Sequence, residues 1–213
     1  MGRRALRKLD PALSLERHLF TLEQLAQPFD PIALFGRDAP LEVEMGSGKG
    51  LFIASAAAAK PEHNFFGIEI AKKYAAHCAS RLVRRDLKNA AMLSGDGLRF
   101  FREWLTDASV AAVHVYFPDP WWKKRHRKRR VMNEAFLADV LRVLVPGGAL
   151  HFWTDVEEYY QTTLELMARV SPLVGPLPVP EKTAEHDLDY RTHFERRKRA
   201  DGLPIYRSEF RKV

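Results

Sequence analysis

Pro118-Asp119-Pro120 sets one carboxylate between two residues of fixed φ, and the ten residues that follow, Trp121 to Arg130, carry seven Lys or Arg, one His and two Trp. Proline on either side restricts the backbone around Asp119, which is how a reacting acid is kept in place. A stiff turn beside core tryptophans explains these few residues equally well. The cations change the balance. Lys123, Lys124, Arg125, Arg127, Lys128, Arg129 and Arg130 suit phosphates, while Trp121, Trp122 or His126 suits stacking on an unpaired base. A polyanionic substrate therefore accounts better than a solvated face for a charge run directly after a candidate reactive acid.

A second group of candidates lies around "EMGSGKG", where Glu44, Gly46, Gly48 and Gly50 mark the junction of a strand and a helix. Glycines there let the backbone turn sharply and approach a ligand. A dinucleotide loop would read G-x-G-x-x-G; here the third glycine comes one residue early, and the Glu44 carboxylate would repel a pyrophosphate. The loop suits a cofactor with positive charge and no phosphate, and S-adenosylmethionine carries a sulfonium and an ammonium. Glu69 falls 19 residues after Gly50 at the end of the next strand candidate, where an acceptor-only carboxylate can take both hydroxyls of a ribose. Asp96 follows the third strand candidate in "SGDG", placed to accept from an adenine amino group. Each acid alone is as well explained as a loop carboxylate or helix cap. Three of them at successive strand ends behind a glycine loop point to one cofactor.

The elements that must position these groups are visible in the hydrophobic pattern. "LEVEM" (41–45), "NFFGIEI" (64–70), "AAMLS" (90–94), "VAAVHVYF" (110–117) and "ALHFWT" (149–154) read as strands, separated by segments of helical period. One such helix, marked by Phe136, Leu137, Val140, Leu141 and Leu144, is expected to start at a capping Asn133 and stop at Pro146-Gly147-Gly148. Five alternations of strand and helix predict the α/β class with a doubly wound, mostly parallel sheet, whose ligands sit at the carboxyl ends of the strands. The polar tail after Ser171, with strand-like ends around Ile205 and Phe210, is expected to supply the last strands.

A chain of 213 residues with 46% apolar content fits one core. The formal charge of +7 equals the seven cations of the run, so the excess is local and points first to nucleic acid; an anionic membrane surface is less apt, because no amphipathic apolar face accompanies the run. No apolar stretch approaches the roughly 20 residues that span a bilayer, and "MGRRALRKLD" lacks the apolar centre of an export signal, so we read it as a basic arm. One cysteine, Cys78, gives no disulfide framework and fits a reducing cytoplasm, and the eight scattered histidines show no ligand spacing, so no metal is expected.

Taken together in order and spacing, "EMGSGKG", "GIE", "GD", "YFPDPWWKKRHRKRR", "VLVPGG", "WTD" and "THFE" resemble the tRNA (guanine-N7-)-methyltransferases from about Pro40 to Phe210. The glycine loop marks only S-adenosylmethionine enzymes at large, whereas the element around Asp119 is specific. The resemblance implies a class I, Rossmann-like methyltransferase fold and methylation of N7 of a variable-loop guanine, position 46 in tRNA numbering. It assigns Glu44, Gly46, Gly48, Glu69, Asp96 and Asp119 to the cofactor, Asp119 also to catalysis, and Lys123, Asp155, Thr192, His193, Phe194 and Glu195 to tRNA. The expected organisation is a basic arm and lead-in helix over 1–40 and one methyltransferase domain over 41–213 with a tRNA-binding C-terminal segment, in a cytoplasmic enzyme with a monomer favoured. Two rivals remain at this level: an inactive RNA-binding protein that kept the fold, and a small-molecule methyltransferase with an incidental basic face. The first would be expected to show a spoiled glycine loop or missing acids; the second leaves the basic run and "THFE" without a purpose.

Overall fold

A computed structural model of the chain describes residue 6 and residues 8–180 and 192–213. The strands are β1 (Leu19–Phe20), β2 (Leu41–Met45), β3 (Asn64–Glu69), β4 (Ala90–Ser94), β5 (Val110–Tyr116), β6 (Leu144–Thr154), β7 (Val174–Leu177) and β8 (Tyr206–Arg211). They form one sheet in the order β1-β4-β3-β2-β5-β6-β8-β7. β1 to β6 run parallel, and β8 and β7 are added antiparallel at the β6 side. This is the doubly wound α/β arrangement that the alternation of elements predicts, and the tail supplies its last strands.

The central strands form because they are covered on both faces: Leu41 to Glu44, Asn64 to Ile68 and Ala90 to Leu93 are all buried, as parallel strands between helical layers must be. One helical layer contains α2 (Leu51–Ala59) and α3 (Lys72–Arg84). α3 buries Ala75, Cys78, Ala79 and Leu82, the spacing of a single helical face, against Ile53, Phe65 and Met92. The other layer contains α4 (Gly97–Glu103), α5 (Glu134–Val143) and α6 (Glu157–Val170), packed through Phe100, Phe136, Val140 and Tyr159 on Val113, Leu150 and Phe152. The remaining helices are the short α1 (Pro31–Phe35), and α7 (His193–Ala200), which precedes β8.

Two expectations need correction. Asn133 does cap α5, accepting from Phe136 N at 3.1 Å, but the helix ends at Val143, before Pro146-Gly147-Gly148. Those three residues lie inside β6, where the pairing with β5 shifts from Val110↔Leu144 to Ala112↔Ala149. Extra residues on one strand are absorbed as a bulge, and Gly147 takes the positive φ of 77° that this needs. The second correction concerns the lead-in. It contributes more than a basic arm and a helix: β1 pairs with β4, and Leu22 and Phe29 enter the main core. Of the arm itself, residues 1–5 and 7 lie outside the described residues.

Candidate active site

The strand order reverses at β2, whose neighbours are β3 and β5, so the crevice of the fold opens at the carboxyl ends of those strands. Glu44, Glu69, Asp96 and Asp119 lie at or just past the ends of β2, β3, β4 and β5, and Asp155 follows β6, so the topology gathers five predicted acids on one rim.

The glycine loop turns from β2 into α2 with Gly46, Gly48 and Gly50 at φ 81°, 53° and 69°. A Cβ on Gly46 or Gly48 would meet nothing, whereas one on Gly50 would overlap the Cys78 sulfur. The first two glycines therefore leave space over the loop, and the third permits close packing of α2 on α3. Glu69 latches this loop: its Oε2 accepts from Gly48 N and its Oε1 from Ala71 N, both at 2.9 Å. Asp96 is the N-cap of α4, with Oδ1 accepting from Leu98 N at 2.9 Å and Arg99 N at 3.2 Å. The cap and a ligand contact are compatible, since both bonds fall on one oxygen.

Glu44 differs from both. It is 4% exposed, and its Oε2 has no hydrogen-bond partner among the described residues. Burial pushes its carboxyl up to about 8, against the pull of the nearby Ser47 hydroxyl and with the negative charge of Glu69 adding to the rise. A buried acid with no cation paired to it among the described residues fits a ligand that brings one. Two apolar side chains that sequence reasoning passed over stand at the same rim: Ile70, 77% exposed after Glu69, and Leu98, 37% exposed after Asp96. Aliphatic groups left open beside two acids at the strand ends would suit the faces of a purine. The signal was available in "GIEI", where the last isoleucine outruns its strand.

Asp119 is exposed, beyond the end of β5. The turn that carries it departs from ordinary backbone at both ends, with Phe117 at φ 51° and Trp121 at φ 45°. Phe117 N donates to Trp153 O at 2.8 Å, fixing the turn to β6. Below it, Tyr116 is held by a buried polar chain. The Tyr116 hydroxyl is hydrogen-bonded to His114 Nδ1 at 2.9 Å, and His114 Nε2 to Glu42 Oε2 at 2.7 Å. Lys60 Nζ donates to Glu42 Oε1 at 2.9 Å. Burial works to raise the Glu42 carboxyl, but the bonds and charges of His114 and Lys60 outweigh it and hold it well below the usual carboxylate range. A glutamate inside the apolar run "LEV" was the sequence sign of this chain of groups.

The tRNA candidates surround the same turn. Lys123 is exposed and precedes a 3-10 helix over Lys124–Arg129. Trp122 is 68% exposed, whereas Trp121 lies edge-on to His126 at 5.9 Å with the Arg129 guanidinium 5.1 Å from its centre. α7 reaches the rim through Phe194, stacked on Phe117 at 6.0 Å, and through Lys198 Nζ, 2.8 Å from Asp155 Oδ2. Thr192 caps α7, its Oγ1 accepting from Glu195 N at 3.0 Å, and buried Glu195 pairs with Arg199 at 2.8 Å. His193 begins the helix, and its side chain lies outside the described residues. The geometry thus brings the predicted residues of β2 to β6 and of α7 to one end of the sheet. Arg130 departs from the sequence reading, since it is buried and turned away from solvent.

A family model described as "Putative methyltransferase" matches residues 38–208. A tRNA (guanine-N(7)-)-methyltransferase of Rhodopirellula baltica is 53% identical over the whole of this chain and 80% of that relative. The chain belongs to the tRNA (guanine-N(7)-)-methyltransferase family. A family member from Cronobacter sakazakii is 36% identical over 81% of this chain and 74% of its own length. Among solved structures, an S-adenosylmethionine-dependent O-methyltransferase of Thermotoga maritima superposes with a TM-score of 0.55 at 18% identity, covering 86% of this chain and 63% of that one. That likeness is one of fold, the doubly wound α/β sheet described above.

Proposed function

We propose that the chain transfers the methyl group of S-adenosylmethionine to N7 of a variable-loop guanine in tRNA, position 46 in tRNA numbering. The observation that carries this reading is the placement of exposed Asp119 across the strand-order reversal from buried Glu44, whose Oε2 has no hydrogen-bond partner among the described residues, with an exposed basic run leaving the same turn. When bound, S-adenosylmethionine supplies an electrophilic methyl on a sulfonium. Glu44 would hold the positive end of that cofactor with its buried carboxylate, Glu69 would accept from the ribose and Asp96 from the adenine amino group, with Ile70 and Leu98 as apolar neighbours. Gly46 and Gly48 leave room for the chain of the cofactor to pass.

Guanine N7 carries a lone pair and no proton, so no residue is asked to act as a base. Taking up the methyl that the cofactor would supply, with the sulfonium sulfur as the leaving group, would make the ring cationic. Asp119 stabilises that growing charge, and with Asp155 it accepts from the guanine N1 and N2 hydrogens to hold N7 on the methyl axis. A variable-loop guanine is drawn from its stack at a cost of roughly a few kcal/mol, which phosphate contacts to Lys123 and its exposed neighbours offset. Thr192, His193, Phe194 and Glu195 complete the RNA side, the first and last by shaping α7 and Phe194 by its exposed face. The segment ahead of β2 adds β1 to the sheet and Leu22 and Phe29 to the core, so it serves as part of the methyltransferase domain, with the residues before it as a basic arm. The acting unit in this reading is a monomer, and its place is the cytoplasm, where tRNA is the substrate. The test is incubation with methyl-labelled S-adenosylmethionine and unmodified tRNA, followed by nucleoside identification. Label in 7-methylguanosine, lost when the variable-loop guanine is replaced, is the expected result; label elsewhere or none refutes the reading.

A further inference from the structure

Arg130 closes the basic run, yet it is only 7% exposed. Its Nε donates to the Pro120 carbonyl at 2.8 Å. Its Nη2 and Nη1 fork onto Glu158 at 2.6 and 3.3 Å. The guanidinium carbon lies 4.4 Å from the centre of the Tyr159 ring, and the Tyr159 hydroxyl accepts from Met132 N at 3.3 Å. Both ends of the basic loop are thereby tied to the first turn of α6.

We propose that Arg130 and Glu158 form a clamp that holds the Pro118-Asp119-Pro120 turn in the geometry methyl transfer needs, so that Arg130 is a positioning residue for Asp119 and does not bind phosphate. The turn cannot hold itself. Pro118 and Pro120 bring no N–H, and the positive φ values of Phe117 and Trp121 cost on the order of 1 to 3 kcal/mol each, persisting only where the surroundings over-determine them. Two external bonds do this: Phe117 N to Trp153 O on one side, and Arg130 Nε to Pro120 O on the other. The second aims the guanidinium because Glu158 fixes its plane, a bidentate geometry that lysine cannot reproduce. Arg127 also reaches Glu158, at 3.2 Å, but from an exposed position. The hydrogen bonds from Arg130 hold the Glu158 carboxyl below its ordinary range, so the clamp is charged on both sides at neutral pH. A phosphate would have to displace Glu158 from the guanidinium fork to bind Arg130 in the same geometry.

The clamp rests on the reading that Asp119 acts at the reacting atoms, so Asp119→Ala is one arm of the test. Arg130→Lys, Glu158→Gln and the double variant form the others. Each is measured for single-turnover methylation at saturating cofactor and tRNA, for tRNA affinity as a function of salt, and for cofactor affinity as a check of folding. We expect each single variant to slow the step by roughly tenfold to a hundredfold, the effect of misplacing a reacting group. The double variant should be no slower than the worse single one, and tRNA affinity, its salt slope and cofactor affinity should stay near the parent's. Glu158→Gln separates the two roles of Arg130, since freeing a phosphate-binding arginine from its carboxylate would tighten tRNA binding and spare the rate. That outcome overturns the clamp, as do rates equal to the parent's while Asp119→Ala is slow. If Asp119→Ala itself runs at the parental rate, the reading of Asp119 fails and the clamp falls with it.

Discussion

Glu69 Oε2 accepts a hydrogen bond from the Gly48 amide at 2.9 Å, so the carboxylate proposed for the cofactor ribose also fixes the loop beneath that cofactor. Its replacement acts twice, by deleting an acceptor and by releasing the loop. Losing a charge-assisted hydrogen bond costs about 1.5 to 3 kcal/mol, or roughly ten- to a hundredfold in Kd. Glu69→Ala should therefore weaken S-adenosylmethionine by at least that much while tRNA affinity stays intact. Calorimetry with each ligand checks both halves.

Glu44 makes cofactor binding depend on pH. In the fold its carboxyl rises from an ordinary 4.5 to about 8, so folding takes up a proton. The stability this group contributes is full below the unfolded value of 4.5 and is lost as pH rises through about 8. A cationic ligand favours the ionised form, so binding should expel the proton. Affinity should climb with pH below about 8, by at most about tenfold per unit, and level off above it. Calorimetry in buffers of different ionisation enthalpy should find close to one proton released at neutral pH for the parent and none for Glu44→Gln.

Asp119→Ala should slow the transfer step by roughly a hundred- to a thousandfold, the usual worth of a preorganised charge, with smaller changes in either binding step. Asp119→Asn keeps the shape and one acceptor and loses the charge, and should be nearly as slow. Because N7 has no proton to lose, single-turnover rates should show no base titrating near neutrality.

The exposed part of the basic run should set the salt dependence. Lys123, Arg125 and Lys128 are open to solvent, and changing all three to Ala should weaken tRNA binding and flatten the log–log slope by on the order of 0.7 to 0.9 per lost phosphate contact. A filter-binding series across salt concentrations reads the slope directly, and an unchanged slope removes the run from the interface.

Sequence alone placed β2 and β4 to the residue because "LEVEM" and "AAMLS" are short apolar runs bounded by turn residues, and the rim acids followed from strand ends and a glycine loop. Local pattern failed where a distant partner decided the outcome. Pro146-Gly147-Gly148 carries the same signal whether it stops a helix or bulges a strand, and the pairing with β5 made it the latter. β1 is too short for any period to show. Arg130 is one cation in seven by sequence, and partners as distant as Glu158 and Tyr159, 28 and 29 residues further along, turn it inward. Glu42, His114 and Tyr116 come together by register between β2 and β5, which no single strand reveals.

The two margins of the sheet bear on how the protein behaves when crowded. One margin is β1, two residues long; the other is β7, four residues whose pairing is irregular and which contains Pro176. An open margin of regular strand is a template onto which another molecule can zip its own backbone, and short strands, irregular pairing and a missing N–H are what discourage that growth. Among the described residues the eight-stranded sheet thus ends on both sides in poor seeds for aggregation, so the molecule can carry a long parallel sheet without offering its edges to a second copy.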